Sequence, residues 1–575
     1  MSFILHGIGV SGGIAIGHAH LTAPAALEVM HYLIPKSRVD KEIKRLDQAF
    51  STVRSEFEAL QSSVTDGPAL AEFSAFLELH HMILDDPTLA DTTRDIIAQT
   101  HCNAEWALTQ QKDALLAQFE AIDDTYLRER KTDVEQVVDR VLKALLGHPG
   151  YQPPATKQLG DHVLVAHDLS PADIMQYKPH QFIAFLTDMG SLTSHTAIVA
   201  RSLNIPSVVA LHHAHQLILE GDCLIVDGSQ GVIIVNPDKY VLDEYRLRQS
   251  QFELEKQKLK RLKSINAVTL DGTSIDLLAN IELPSDLEQV IENGATGIGL
   301  FRSEFLFMNR DDLPGEDEQF EAYRAVATKM RGQQVTIRTF DLGADKNLKH
   351  STQTAANPAL GLRAIRLSLS EPQMFHIQLR AILRASKYGQ IKILLPMLSN
   401  IAEVDQTLHL LEYAKLTLQK DQIDFDDRIQ VGGMIEIPAA ALSLETFLQK
   451  LDFLSIGTND LIQYTLAVDR VDDAVAHLYD PFHPAILWLV SRVIQMSNRA
   501  KKPVSICGEM AGDIQFTRLL LGIGLQQFSM YPAQLLAVKN QILKSNLPDI
   551  IPLAHKIIRT DNPGKMRSLL SKLNS

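Results

Sequence analysis

The stretch "QVTIRTFDLG", Gln334–Gly343, is an apolar-rich run that ends in an arginine and, three residues on, an aspartate. Runs of this kind recur in the second half of the chain: "SIDLLANI" (274–281), "TGIGLFRSEF" (296–305), "IKILLPML" (391–398), "IQVGGMIEIPAA" (429–440), "DFLSIGTNDL" (452–461), "PVSICGEMAG" (503–512) and "QQFSMYP" (526–532). With Gln334–Gly343 they make eight candidate strands, separated by helix-forming segments, which is the size and rhythm of a (β/α)8 barrel. The rival is an open doubly wound sheet. It would need a glycine-rich dinucleotide turn near its first strand, and none is present.

In such a barrel the chemistry sits at the C-terminal ends of the strands. Those ends carry Asn280, Arg302 and Glu304, Arg338 and Asp341, Glu436, Asn459 and Asp460, and Cys507 with Glu509. Each alone reads as a helix cap or a surface ion pair. Two arginines and two carboxylates on one rim point instead to a small, doubly anionic substrate. Arginine offers a rigid fork of donors to phosphate or carboxylate. Glu436 and Asp460 supply hard oxygens suited to Mg²⁺, which takes one or two carboxylates plus substrate oxygens. Arg470, shortly after Asp460, is placed to reach the same pocket. Cys507 reads first as a small packing residue, and second as a proton donor.

The chain has 575 residues, 45% of them hydrophobic, enough for about three or four domains. Its net charge of −14 with no basic block argues against a nucleic-acid partner. The three cysteines, Cys102, Cys223 and Cys507, form neither a zinc pattern nor a disulfide framework, so a reducing compartment fits. The opening "MSFILHGIGVSGGIAIGHAHL" lacks a basic n-region and reads as strands, not a signal peptide. No apolar run approaches the roughly 18 residues of a membrane span, so no membrane insertion is expected.

Four regions separate. Residues 25–147 hold long 3.6-period segments such as "DVEQVVDRVLKALLGH" and form a helical subdomain. Residues 148–237 alternate short β-rich runs with helices. The opening strands in 1–24 are expected to join that sheet, because an isolated strand pair is marginal. The helical subdomain is then an insertion in an α/β unit. Residues 238–266 are charged and helix-forming and read as a helical linker. Residues 267–575 form the barrel.

Within the α/β unit, "LTSHTAIVAR" (192–201) puts Thr193 and Ser194 where helix N-caps belong and His195 at the helix start. Free N–H groups and the helix dipole there favour an anion, and would hold a phosphoryl group on the imidazole. A metal site from the nearby His212, His213 and His215, or from His80 and His81 in "LHHM", is the lesser reading; solvent-facing polar residues are the alternative. Serine catalysis by Ser194 lacks its G-x-S-x-G elbow.

These segments resemble enzyme I of the bacterial phosphoenolpyruvate:sugar phosphotransferase system. The carrying motifs are "TSHTAIVARSLNIPSVV", "GIGLFRSEFLFMNRDDLPGEDEQFEAYR", "IRTFDLGADK", "NPALGLRAIR", "QLRAILRAS", "GGMIEIPAA", "DFLSIGTNDLIQYTLAVDR" and "CGEMAGD", and the likeness covers essentially the full length. The resemblance implies a cytoplasmic enzyme that phosphorylates its own histidine from phosphoenolpyruvate, releases pyruvate, and passes the phosphoryl group to the carrier protein HPr. It implies that 1–24 and 148–237 form the phosphohistidine domain, that 25–147 binds the carrier, and that the molecule is a homodimer through the barrel.

By the same resemblance His195 matches the phosphohistidine, and Arg302 and Arg338 the phosphate-binding arginines. Arg363, Asn459 and Arg470 match further substrate residues. Glu436 and Asp460 match the Mg²⁺ ligands, with Mn²⁺ as the alternative ion. Cys507 matches the proton donor, and Ser170 stands where the family often has a threonine near the histidine. The chain departs from the family pattern at Gly190-Ser191-Leu192, where a second glycine is lost. It departs again at Gly343-Ala344-Asp345-Lys346, at Ala210 in place of a glycine, and at Tyr531 in place of a small residue. Acidic stretches at 78–87 and 121–130 are candidate surfaces for a basic carrier. Other readings are a regulatory paralogue signalling through His195, or a dikinase or phosphoenolpyruvate synthase relative without the ATP domain.

Overall fold

Gly7 separates two strands that lie on opposite edges of one sheet. In the computed structural model the first unit is built on β1 (Phe3–His6), β2 (Ile8–Ser11), β3 (Ile14–Leu21), β4 (His162–Ala166), β5 (Ala184–Thr187), β6 (Ser207–Val209), β7 (Cys223–Asp227) and β8 (Val232–Val235). Their order is β1-β8-β7-β3-β4-β5-β6-β2. One residue cannot span an open eight-stranded sheet, so the sheet rolls until its edges meet at Gly7. A Cβ there would lie 2.5 Å from Val209 O, which reserves the position for glycine. All three opening strands thus join the sheet, as expected, through β1–β8, β2–β6 and β3–β4 pairing.

The structure describes residues 2–21, 29–63, 79–120, 125–147, 161–167, 182–190, 205–307, 312–342, 357–470 and 475–574. His195, Ser170, Thr193 and Ser194 lie outside them, as do Ser191, Leu192 and 343–346 of the two altered loops.

Between β3 and β4 stand the helices Val39–Ser63, Pro87–Thr100, Ala104–Glu120 and Thr125–Leu145. Val134, Val137, Val138, Val141 and Leu145 form the buried stripe of the last, at the spacing of one helix face, and pack with Leu46, Val53, Phe57 and Leu108. His80 corrects the sequence reading of "LHHM" as a solvent-facing pair. It is buried, its ring is 5.8 Å from that of Phe57, and its Nε2 is 3.7 Å from Asp133. His212 and His213 are exposed, and among the described residues no group of three or more histidine, cysteine, aspartate or glutamate side chains is placed to hold a metal. The charged stretch 238–266 forms a helix at Lys239–Lys260. Its first turns are part of the sheet's cover: Tyr245 is buried against Ile225 and Ile234.

The division between the two compact units, Met1–Glu255 and Lys256–Ser575, falls late in that helix. The second unit is a closed barrel of parallel strands: β9 (Asp276–Ile281), β10 (Gly297–Arg302), β11 (Gln334–Arg338), β12 (Gln390–Leu395), β13 (Gln430–Ile435), β14 (Phe453–Ile456), β15 (Val504–Ile506) and β16 (Gln527–Met530). Closure is by β16 against β9, from Gln527↔Asp276 to Met530↔Ala279. Each strand is covered on both faces, which is why its sequence reads as a nearly continuous apolar run. Leu300, Leu394, Met434, Phe453 and Cys507 form a small cluster of their own, apart from the large core that Ile298, Ile337, Ile382, Ile393 and Phe516 share. Among the described residues no helix is long and apolar enough to cross a membrane.

Candidate active site

Arg338, the last residue of β11, is the hub of the rim. Its Nη1 lies 2.6 Å from Asp341 Oδ2 and its Nη2 donates to Glu304 Oε1 at 3.1 Å. Asp341 also takes Arg363 Nη2 at 3.4 Å, so one carboxylate joins two arginines. Burial alone would lower the Arg338 value, but Asp341 and Glu304 outweigh it, and the guanidinium stays more basic than an ordinary arginine. Glu436 and Asp460 act on both Arg338 and Arg363 in the same direction, which places all these groups in one electrostatic cluster.

The strand ends are fixed from beneath by a buried polar network. Gln378 accepts Phe340 N–H at 3.0 Å and donates to Ser303 Oγ at 3.1 Å and to Tyr323 OH at 3.2 Å. Ser303 Oγ in turn donates to Arg338 O at 2.8 Å. These bonds tie the end of β10 to the end of β11 and hold the backbone that presents Arg302 and Arg338. Buried groups satisfied this fully make a rigid support.

Glu436 follows β13 and is wholly buried. Its Oε1 accepts Met397 N–H at 2.6 Å, while Oε2 is buried with no partner. Burial, with Asp341 and Asp460 nearby, pushes this carboxyl well above the usual carboxylate range; Arg338 opposes it more weakly. Met397 and Ala364, the residue after Arg363, both hold the left-handed conformation, at φ 54° and 51°. Strained backbone of this kind costs about 1 kcal/mol per residue and is found at sites that need it.

Asp460 and Asn459 lie in the first turn of the helix Thr458–Leu466. Asn459 is clamped to the β15 loop: its Oδ1 accepts Glu509 N–H at 2.9 Å and its Nδ2 donates to Glu509 Oε1 at 3.2 Å. Gly508 permits this approach, since a Cβ there would overlap Thr458 Oγ1. Cys507 is buried just before it. Its carbonyl accepts Asn280 Nδ2–H at 2.8 Å, and burial pushes its thiol up to about 11. The thiol therefore keeps its proton at neutral pH.

Arg302 reaches the mouth from β10. It pairs with Glu282 and donates to Tyr531 OH at 3.1 Å. Arg470 is exposed near Tyr479, and among the described residues it forms no ion pair. The structure thus gathers Arg338, Arg363, Glu436 and Asp460 tightly, sets Arg302 at the mouth, and leaves Arg470 at the edge.

Three residues of this site escaped the sequence reading. Gln378 sits inside the quoted "QLRAILRAS" motif, with no sign of its direction. Tyr464, whose OH donates to Ala359 O at 2.6 Å, anchors the segment that leads into Arg363. Its position four residues after Asp460 puts both on one helix face, a legible signal. Glu282 directly follows a strand, and that position was the available clue.

The donor set fits a divalent cation. Arg302, Arg338 and Arg363 face the carboxylates of Glu304, Asp341, Glu436 and Asp460, and the partnerless Glu436 Oε2 faces no protein donor. An anionic substrate would add to the negative excess, and two oxygen donors match the way Mg²⁺ is held beside a phosphoryl ligand.

The chain is similar to three families of phosphoenolpyruvate-utilising enzymes: the N-terminal family over 6–130, the mobile-domain family over 159–231, and the phosphoenolpyruvate-binding domain family over 256–547. A phosphoenolpyruvate-protein phosphotransferase of Cupriavidus necator is 54% identical, covering 100% of both chains. One from Geobacillus stearothermophilus is 41% identical over 94% of this chain and 93% of its own. An NMR solution structure of Enzyme I matches at 32% identity over 43% of this chain and 99% of that one, with a TM-score of 0.37.

Proposed function

The chain belongs to the phosphoenolpyruvate-protein phosphotransferase family, and from that premise we propose that it moves the phosphoryl group of phosphoenolpyruvate to His195 and then to an HPr-type carrier, releasing pyruvate. The observation that carries this reading is the rim cluster: Arg302, Arg338 and Arg363 at one end of the barrel, beside the carboxylates of Glu436 and Asp460.

Arg302 and Arg338 bind the phosphoryl oxygens, and Arg363, Asn459 and Arg470 hold the rest of the substrate. Glu436 and Asp460 hold Mg²⁺, or Mn²⁺ in its place. When bound there, the ion supplies charge neutralisation at the phosphoryl and carboxylate oxygens. The neutral imidazole of His195 attacks phosphorus, and the bond from phosphorus to the enol oxygen breaks. Such a transfer asks the protein mainly for positioning and electrostatic stabilisation. Thr193, Ser194 and Ser170 support the phosphohistidine. Enolpyruvate leaves, and the Cys507 thiol gives its proton to the methylene carbon. Solvent then returns a proton to the thiolate.

His195 belongs to the first unit by sequence and the rim to the second, so the reaction requires them to meet and part. The boundaries 1–24 with 148–237, 25–147, 238–266 and 267–575 stay the proposed division. The helical subdomain is the proposed carrier site. Of its acidic residues, Asp85 pairs with Arg54 and Asp86 caps a helix through Thr88 N–H at 2.8 Å, so both already have structural partners. A homodimer through the barrel and a cytoplasmic setting complete the proposal; sedimentation of the pure protein tests the former. The function itself is tested by label transfer. Label from phosphoenolpyruvate, and not from ATP, should pass through the protein to purified HPr. Label from ATP would favour a dikinase-like enzyme, and label that stays on the protein would favour a signalling paralogue.

A further inference from the structure

Three neighbouring strands, β16, β9 and β10, end side by side: Tyr531 and Glu282 directly follow the first two, and Arg302 is the last residue of the third. Arg302 Nη1 is shared between them: it pairs with the Glu282 carboxylate and donates to Tyr531 OH at 3.1 Å. The guanidinium carbon lies 5.8 Å from the centre of the Tyr531 ring, and Tyr531 O lies 3.5 Å from Glu282 Oε1. Tyr531 is 41% exposed, so its ring lines the mouth and is not packed into the core.

The two partners of Arg302 differ in what an incoming anion does to them. Glu282 is charged and half-exposed, so a phosphoryl dianion on Arg302 repels it and takes its place. Tyr531 is neutral and keeps accepting from Arg302 whichever anion is bound. Its oxygen accepts that bond while its O–H donates to Glu282 Oε1 at 3.5 Å, so when Glu282 yields, the hydroxyl proton passes to the anion that replaces it. We propose that Tyr531 is a positioning residue for phosphoryl recognition, holding Arg302 at the mouth while Glu282 yields to the phosphate, and turning its hydroxyl proton toward the bound anion. This rests on the reading of Arg302 as a phosphoryl ligand. A small side chain here, as in the family pattern, has neither the hydroxyl nor the ring.

The test is equilibrium binding of phosphoenolpyruvate with Mg²⁺ to the full chain carrying His195→Ala, which removes turnover. Oxalate, a dianion without a phosphoryl group, is the control ligand. Tyr531→Phe should weaken phosphoenolpyruvate by about fivefold, the scale of one hydrogen bond to a charged group. It should leave oxalate affinity and the thermal midpoint unchanged. Glu282→Gln should tighten phosphoenolpyruvate, by removing its competitor. Unchanged phosphoenolpyruvate affinity in Tyr531→Phe, while Arg302→Ala abolishes it, overturns the role of Tyr531 and leaves Arg302 in place. Equal loss of both ligands in Tyr531→Phe also overturns it, because the effect is then not phosphoryl-specific. Unchanged affinity in Arg302→Ala overturns the underlying assignment as well.

Discussion

Met397 N–H donates to Glu436 Oε1 at 2.6 Å, and the other oxygen of the same buried carboxylate has no partner. The carboxylate is oriented by backbone at one end and open at the other. Orientation by a left-handed residue is expensive, and it makes sense where the open oxygen has a ligand to hold.

Glu436→Gln keeps the acceptor for Met397 and removes the charge. Turnover should fall by about 10²–10³, the scale of losing one charge-stabilising group. The barrel should unfold at the same temperature or higher, because a buried carboxylate is costly. Steady-state kinetics with calorimetry checks both. Full turnover would remove Glu436 from the metal site.

Arg338 and Arg302 should part company in stability. Arg338→Ala leaves Glu304 buried without its cation and Asp341 with Arg363 alone, and should cost about 3–5 kcal/mol. Arg302→Ala affects an exposed pair and should cost under about 1 kcal/mol, yet it should still abolish substrate binding. Denaturant titration of the two variants measures the difference.

Cys507→Ala should leave phosphoryl transfer to His195 intact and abolish facial selectivity in protonation of C3, read in D₂O with a labelled substrate. The pH dependence follows from the sign of the shift. Burial raises the folded thiol from 9.0 to about 11, so the folded state favours the protonated form. The associated stability is present below pH 9 and is lost as pH rises toward about 11, at most about 3 kcal/mol. Stereospecific protonation should follow the same course, holding at pH 9 and fading above 10. Loss near pH 8 would contradict the burial.

Ala210 holds φ 56° where the resembling family carries glycine. Ala210→Gly should relieve the left-handed strain and stabilise the chain by about 0.5–1 kcal/mol, less the entropy that glycine adds to the unfolded state. Urea unfolding of the full chain reads the change. A loss of stability would mean that the alanine methyl makes contacts worth more than the strain.

The barrel was legible because each strand is buried on both faces, so its sequence is an apolar run ending in polar residues. The helical insertion was legible from the stripe of Val134, Val137, Val138 and Val141. The rim arginines and carboxylates could be located because a barrel puts every strand end on one face. What joined them could not. Gln378, Tyr464 and Glu282 act through contacts between residues 75, 105 and 20 apart in sequence, and no local period encodes such pairs. The burial of His80 is not legible in "LHHM": both rings lie beside Phe57, at 5.8 and 5.5 Å, and which of the two is buried depends on a helix phase set by packing. The edge-to-edge closure at Gly7 was equally hidden, since a glycine between two apolar pairs looks like any hairpin turn.

The central claim is that His195 accepts the phosphoryl group from a substrate bound at the barrel rim. A single turnover of the full chain with phosphoenolpyruvate and Mg²⁺, followed by peptide mapping under alkaline conditions, tests it directly. The account predicts one phosphorylated residue, His195, with an equal yield of pyruvate, and no label in Arg338→Lys, which lacks the guanidinium that Asp341 and Glu304 hold in place for the phosphoryl oxygens. Label on any other residue, or undiminished label in His195→Ala, would contradict it.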